Sequence, residues 1–255
     1  MIVDDLGTPL ASPQPPRRVV SLVPSLTEAV AVTAPELLVG ATKYCTHPAD
    51  LDVARVGGSK YPSVDEILAL QPDLVIVNAE ENRREDAEAL RAAGVNVWVT
   101  FPRTVAGALD SLGRLFDALQ VPRPDWLAEA HQVWAVPPAP PRGRHVTVVW
   151  RRPWVTVGPD TFASDVLRQL GWVNAFTDPG QRYPRPGLAE IRALQPDLVV
   201  LPDEPYAFRA DDGPESFPDL PCALVSGRHL TWYGPSLAEA RAVLERQLSS
   251  ARTAS

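Results

Sequence analysis

The residues best suited to chemistry in this 255-residue sequence lie in a few short, loop-like segments. Lys43-Tyr44-Cys45-Thr46-His47-Pro48 brings a cation, an aromatic ring, a thiol and an imidazole into one stretch. Tyr44 and His47 suit contact with a planar or anionic ligand, with a turn-capping role for His47 as the plain alternative. Cys45 reads as a small buried filler. Lys60 suits pairing with a carboxylate or phosphate. A second group is Trp150, Arg151, Arg152 and Trp154. Its indoles can stack on a flat ligand while its guanidinium groups grip carboxylates through two parallel hydrogen bonds. The competing reading is a strand edge whose tryptophans cover core. Tyr183, then Tyr206 and Phe208, then His229, Trp232 and Tyr233 continue the aromatic series. Rings repeated through several loops suit a large flat ligand better than a bare ion.

Enzymatic chemistry has weaker signals. The four histidines, His47, His131, His145 and His229, include no pair at metal-binding spacing. Cys45 and Cys222 form no Cys-x-x-Cys, and neither a Gly-x-Ser-x-Gly nor a P-loop is present. Catalytic residues and a resident metal or cofactor are therefore not expected. A minority reading joins His47 and His229, with Glu81 or Glu204, into a chelatase-like site or a metal chaperone of tetrapyrrole metabolism.

Composition narrows the partners. Lys+Arg 24 against Asp+Glu 31 gives a net charge of -7, which argues against nucleic acid, whose binding draws on Lys/Arg neutralising phosphates. No apolar run reaches the roughly 18–20 residues of a membrane span. The first residues, with Asp4, Asp5 and several prolines, lack the basic start and apolar core of a secretory leader. Together with two cysteines that cannot frame disulfides, this predicts a cytoplasmic protein, or an extracytoplasmic one if a leader has been removed.

The elements that must position these residues are marked by a repeat. Ala69-Leu70-Gln71-Pro72-Asp73-Leu74-Val75 recurs without change at Ala193–Val199, 124 positions on. Each copy reads as a helix stopped at Gln-Pro, followed by a buried strand. Ser25 with Glu28 and Ser63 with Glu66 read as capping boxes. Strands and helices alternate on both sides, predicting an α/β fold of two parallel-sheet lobes. The expected limits are an extended or disordered segment over 1–16, a first lobe over 17–121 and a second over 144–255. Between the lobes, residues 122–143 hold a joining helix and a Pro-rich spacer. Proline, 28 of 255 residues, punctuates this plan. Ligands of such sheets bind beyond the strand carboxyl ends, so a cleft between the lobes is the expected site.

With these motifs in order, the chain resembles the helical-backbone metal receptors. These are the type III substrate-binding proteins of ABC importers, and the resemblance is nearest their cobalamin-binding branch. The matching stretches are Arg18–Glu28, Gly57–Lys60, the Gln-Pro-Asp-Leu-Val repeat and Glu80–Arg83, then Trp150–Trp154 and Asp203–Phe208. The resemblance implies two Rossmann-like lobes joined by a backbone helix, in the chelatase-like, type III periplasmic binding protein fold. It also implies a corrinoid or related metal chelate as ligand and an ABC transporter permease as partner. Ser25, beside the first strand, joins the candidate ligand contacts. Glu80, Glu81 and Glu204 would dock on transporter arginines. Their alternative is a solvated helix start favoured by the helix dipole.

Overall fold

The repeated heptapeptide builds the same helix stop twice. The computed structural model describes residues 2–10 and 14–253. In it both Gln71 and Gln195 adopt a left-handed backbone with φ 48°, the conformation that ends a helix after its last turn. The following Pro cannot continue the helix, and the Asp side chain turns back to the neighbouring strand. Asp73 Oδ2 accepts the Arg17 and Arg18 N–H groups at 2.8 and 2.9 Å, and Asp197 Oδ2 accepts that of Arg144 at 2.7 Å. In return Arg18 and Arg144 donate to the helix-end carbonyls of Leu70 and Leu194. The repeat is thus a clamp between a helix end and a central strand.

Around the first clamp runs β1 (Val19–Ser21), α1 (Pro24–Thr33), β2 (Leu38–Ala41), β3 (Ala54–Arg55), α2 (Val64–Ala69), β4 (Leu74–Asn78), α3 (Arg84–Ala92) and β5 (Asn96–Thr100). The strands form one parallel sheet in the order β3-β2-β1-β4-β5. Val20, Val75, Val77, Val97 and Val99 share a face and pack with Ile67 of α2 and Leu90 of α3. Gly94 ends the α3 segment at φ +84°, as the sequence predicts. α1 starts differently from expectation. Pro24 occupies its first turn and Val23 is the N-cap, so Ser25 lies inside the helix and makes no cap. Ser63 does cap α2, accepting the Glu66 N–H at 3.4 Å.

α4 (Val105–Leu119) and α5 (Asp125–Trp134) lead to the second sheet. There follow β6 (Gly143–Trp150), β7 (Val155–Thr156), α6 (Phe162–Gln169), β8 (Trp172–Asn174), α7 (Leu188–Ala193), β9 (Leu198–Pro202), β10 (Cys222–Val225), α8 (Gly227–Thr231) and α9 (Leu237–Ser249). β9 lies between β10 and β6, in parallel with both. The other edge of β6 pairs with β8 in parallel and with the short antiparallel β7. Val146, Val148, Val199 and Leu201 pack with Ile191, Phe208 and Phe217 to form this sheet's core.

The chain divides into two compact units. One holds residues up to Pro102, Gly107–Glu129 and Tyr233–Pro235; the other holds Arg103–Ala106, Ala130–Trp232 and Ser236 onward. The division within α5 falls inside the expected 122–143 joint. The Pro-rich stretch is docked rather than free: Ala139 N–H donates to Gln169 O at 2.9 Å and Arg142 N–H to Gly171 O at 2.8 Å. Of the segment expected to be extended or disordered, Met1, Ala11, Ser12 and Pro13 lie outside the described residues. Its remainder up to Leu10 is tied to β5. Asp4 Oδ2 accepts the Val99 N–H, and Asp5 donates its own N–H to Val99 O. Asp5 Oδ2 accepts the Phe101 N–H, and Arg114 closes on the same carboxylate at 2.6 Å. Two consecutive aspartates so occupy the edge groups of β5 that would otherwise be open to another strand.

Candidate functional site

In open parallel sheets, ligands gather where the strand order reverses, outside the carboxyl ends. The order β3-β2-β1-β4-β5 places that point between β1 and β4. The loop after β4 is preset by Asn78, whose Oδ1 accepts the N–H groups of Glu80 and Glu81 at 2.7 and 3.2 Å. Asn82 returns to it, its Oδ1 accepting the Asn78 N–H at 2.7 Å, while its Nδ2 donates to Ser59 O at 2.8 Å. The loops after β3 and β4 are therefore one connected structure. The loop after β2 exposes Tyr44 with the Lys43 ammonium 5.2 Å from its ring centroid. His47 and Lys60 are also exposed. Cys45 is buried, its Sγ 3.0 Å from Thr27 Oγ1 and 3.3 Å from Thr42 Oγ1. Burial pushes its thiol up despite these hydroxyls, which suits a filler and not a nucleophile.

In the second unit the reversal lies between β6 and β9, which makes the Trp150–Trp154 and Asp203–Phe208 loops neighbours. Their rings form a connected series. Trp150 meets Tyr206 edge-on at 5.8 Å, Tyr206 leans on Phe208 at 4.7 Å, and Phe208 stacks with Trp154 at 6.5 Å. Trp154 ends on Phe217. The outer member is Trp150, 44% exposed, and the inner ones are core, Phe208 at 3% and Phe217 at 0%. The Tyr206 hydroxyl donates to Asp212 at 2.6 Å, raising the phenol's pKa and lowering that of the carboxyl. Arg151 pairs with Asp212, with Glu215 at 2.6 Å, and lies 5.3 Å from the Trp154 ring centroid. Burial works against ionisation of Glu215, but the Gly213 N–H and Arg151 outweigh it and hold its pKa down. Arg152, in contrast, is exposed, with a left-handed φ of 64°. Tyr183 is exposed too.

Several sequence-derived contacts are corrected by these positions. Arg151 is spent on two carboxylates and is no free arm for a ligand. Phe208 is core and Trp232 is buried, so neither offers a face. Ser25 is buried in α1. Tyr233, at 4% exposure, belongs to the first unit, where Asn78 Nδ2 donates to its hydroxyl at 2.6 Å and Thr100 Oγ1 lies 3.0 Å away. His229 sits in α8 with Nδ1 2.8 Å from Ser226 Oγ and Nε2 3.1 Å from Glu239 Oε1. Among the described residues no group of three or more His, Cys, Asp and Glu can hold a metal. His47 falls in the first unit and His229 in the second. Glu80, Glu81 and Glu204 are half-buried in carboxyl-edge loops rather than open surface acids. The Glu204 loop is packed so closely on α8 that a Cβ at Gly227 would come 2.3 Å from Glu204 Cγ.

Sequence reasoning missed Tyr61, Arg83, Asp212 and Glu215. The latter two are 61 and 64 positions from Arg151, beyond any local pattern. Tyr61 directly follows Gly57–Lys60 and Arg83 ends Glu80–Arg83, but ring and guanidinium are 22 positions apart and meet only in the fold. Among the described residues no helix is long and apolar enough to cross a membrane.

Residues 19–120 match a family described as periplasmic binding protein, in line with the resemblance carried by the motifs. The vitamin B12-binding protein of Vibrio cholerae serotype O1 is 24% identical over 206 residues, covering 78% of this chain and 75% of that protein. Among solved structures, the periplasmic vitamin B12 binding protein BtuF of Vibrio cholerae matches with a TM-score of 0.70 and 21% identity. That match covers 92% of this chain and 97% of BtuF. The periplasmic heme-binding protein RhuT from Roseiflexus sp. RS-1 matches with a TM-score of 0.73 and 21% identity, over 91% and 97% of the respective chains. These likenesses bear out the two-lobed α/β fold. All three are named as binding proteins, and both solved structures are described as periplasmic, which does not support the cytoplasmic expectation.

Proposed function

We propose that this chain is the extracytoplasmic solute-binding component of an ABC importer, a non-catalytic carrier of a corrinoid or a related metal chelate. The observation that carries this reading is the placement of exposed rings and cations at the carboxyl edge of each doubly wound sheet. Tyr44 with Lys43 stands at one edge; Trp150 with Arg152 stands at the other. Flat ligands gain from stacking on such rings, and charged groups beside them take polar side arms. Cobalamin is favoured over haem by the sequence relatives, named for vitamin B12. The partner this role requires is a permease, and the half-buried Glu80, Glu81 and Glu204 are poor candidates for docking on it. Absorbance titration of the purified chain with cyanocobalamin and, separately, with haemin tests the reading. Saturable binding of cyanocobalamin at one ligand per chain is expected. Failure of both ligands to bind would remove it.

A further inference from the structure

Tyr61 is 73% exposed, an unusual state for a large ring on a loop that is otherwise pinned. The pinning is specific. Gly57 makes the turn at φ +88°, a backbone that a Cβ would strain, and Gly57 and Pro62 form an antiparallel bridge. Ser63 N–H donates to Val56 O at 2.9 Å, and Asn82 Nδ2 holds Ser59 O from the β4 loop. The ring is also oriented. The Arg83 guanidinium carbon lies 5.0 Å from its centroid, within reach of a cation–π attraction. Arg83 is itself set by Asp86, to which Nε and Nη2 donate at 2.9 and 2.6 Å. Asp86 is 6% exposed and anchored on α3. Arg83 Nη1 takes no part in this fork.

We infer that Tyr61 is a stacking contact for the planar face of the bound chelate, and that Arg83 and Asp86 are its positioning residues. This rests on the ligand class proposed above. The order of support runs from the buried carboxylate, through the guanidinium, to a ring that has one face on the cation and most of its surface open. An aromatic side chain held in this way loses little rotamer freedom on binding, which is the cost that preorganisation removes. Arg83 Nη1 stands ready for a polar arm of the same ligand. The Gly57–Gly58 turn carries the exposed Tyr44 on its other side: a Cβ at Gly58 would lie 3.3 Å from Tyr44 Cε2. A side chain at 58 would require the Tyr44 ring to give by a few tenths of an ångström.

The test is titration of the full chain and its variants with cyanocobalamin and haemin, with thermal midpoints recorded for each variant. Tyr61→Ala is expected to weaken the ligand that the wild type binds by about tenfold, at an unchanged midpoint, while Tyr61→Phe stays within about twofold. Asp86→Asn is expected to reduce the circular dichroism induced in the visible band of haemin, or the ligand-dependent change in that of cyanocobalamin. Arg83→Lys keeps the charge but not the fork and is expected to share that loss. Wild-type affinity in Tyr61→Ala overturns the stacking contact while leaving the proposed function intact. Unaltered dichroism in Asp86→Asn overturns the positioning role. A wild type that binds neither ligand defeats the function itself and this inference with it.

Discussion

The Asp73 carboxylate accepts the Arg18 backbone N–H at 2.9 Å, and the Arg18 guanidinium closes on Leu70 O, the end of the helix that Asp73 follows. Asp197 and Arg144 repeat the arrangement in the second unit. Removing one carboxylate orphans strand N–H groups and loosens a helix end whose Gln already carries a left-handed φ. Asp73→Ala is therefore expected to cost the first unit about 1–3 kcal/mol, with the same for Asp197→Ala in the second. Urea unfolding followed by far-ultraviolet dichroism measures both. Loss in only one of the two would deny that the repeat is one structural device.

Arg151 holds Asp212, the acceptor of the Tyr206 hydroxyl, and lies against the Trp154 ring. Arg151→Ala releases Asp212 and Glu215, so the variant is expected to lose both thermal stability and several-fold of ligand affinity. Arg151→Lys should rescue little, since one ammonium cannot bridge two carboxylates as a guanidinium does. Thermal melting with parallel ligand titration checks this. Weakened binding at an unchanged melting midpoint would instead make Arg151 a direct ligand contact.

The α/β class and both clamps were legible because they depend on neighbours in sequence: a helix stop, a Pro, an apolar run. The roles of single site residues were less legible. Arg151 reads as a free ligand arm until Asp212 and Glu215 close on it from a later loop. Tyr233 reads as one more loop aromatic, yet its hydroxyl is used by Asn78, 155 positions away. Ser25 reads as an N-cap because the effect of Pro24 on where α1 begins is only one residue in size. The exposure of Tyr61, and Arg83 over its ring, arise only once the loops after β3 and β4 are joined at the carboxyl edge of the folded sheet.

His145, in β6, is fully buried, and its Nε2 has no hydrogen-bond partner among the described residues. Burial lowers its pKa from 6.5 to about 3. Between these values the unfolded chain takes up a proton that the folded chain refuses, so stability falls as pH drops through that window. At and above neutrality the group contributes no pH dependence. His145→Gln is expected to flatten the decline in urea midpoint between pH 6.5 and pH 4. An equal decline in both proteins would contradict the neutral buried imidazole.

Both cysteines are free, buried and of raised pKa, Cys222 at about 11. Neither thiol is expected to react with Ellman's reagent on the minutes scale at pH 8, whereas both should react at once in denaturant. Rapid reaction of one thiol in the native protein would refute its placement.

The central claim, a carrier for a flat metal chelate, is tested most directly by calorimetric titration of the purified chain with cyanocobalamin. The account predicts a saturable heat at one ligand per chain that shrinks in Trp150→Ala. Heats indistinguishable from dilution, for cyanocobalamin and for haemin in the same cell, would contradict it.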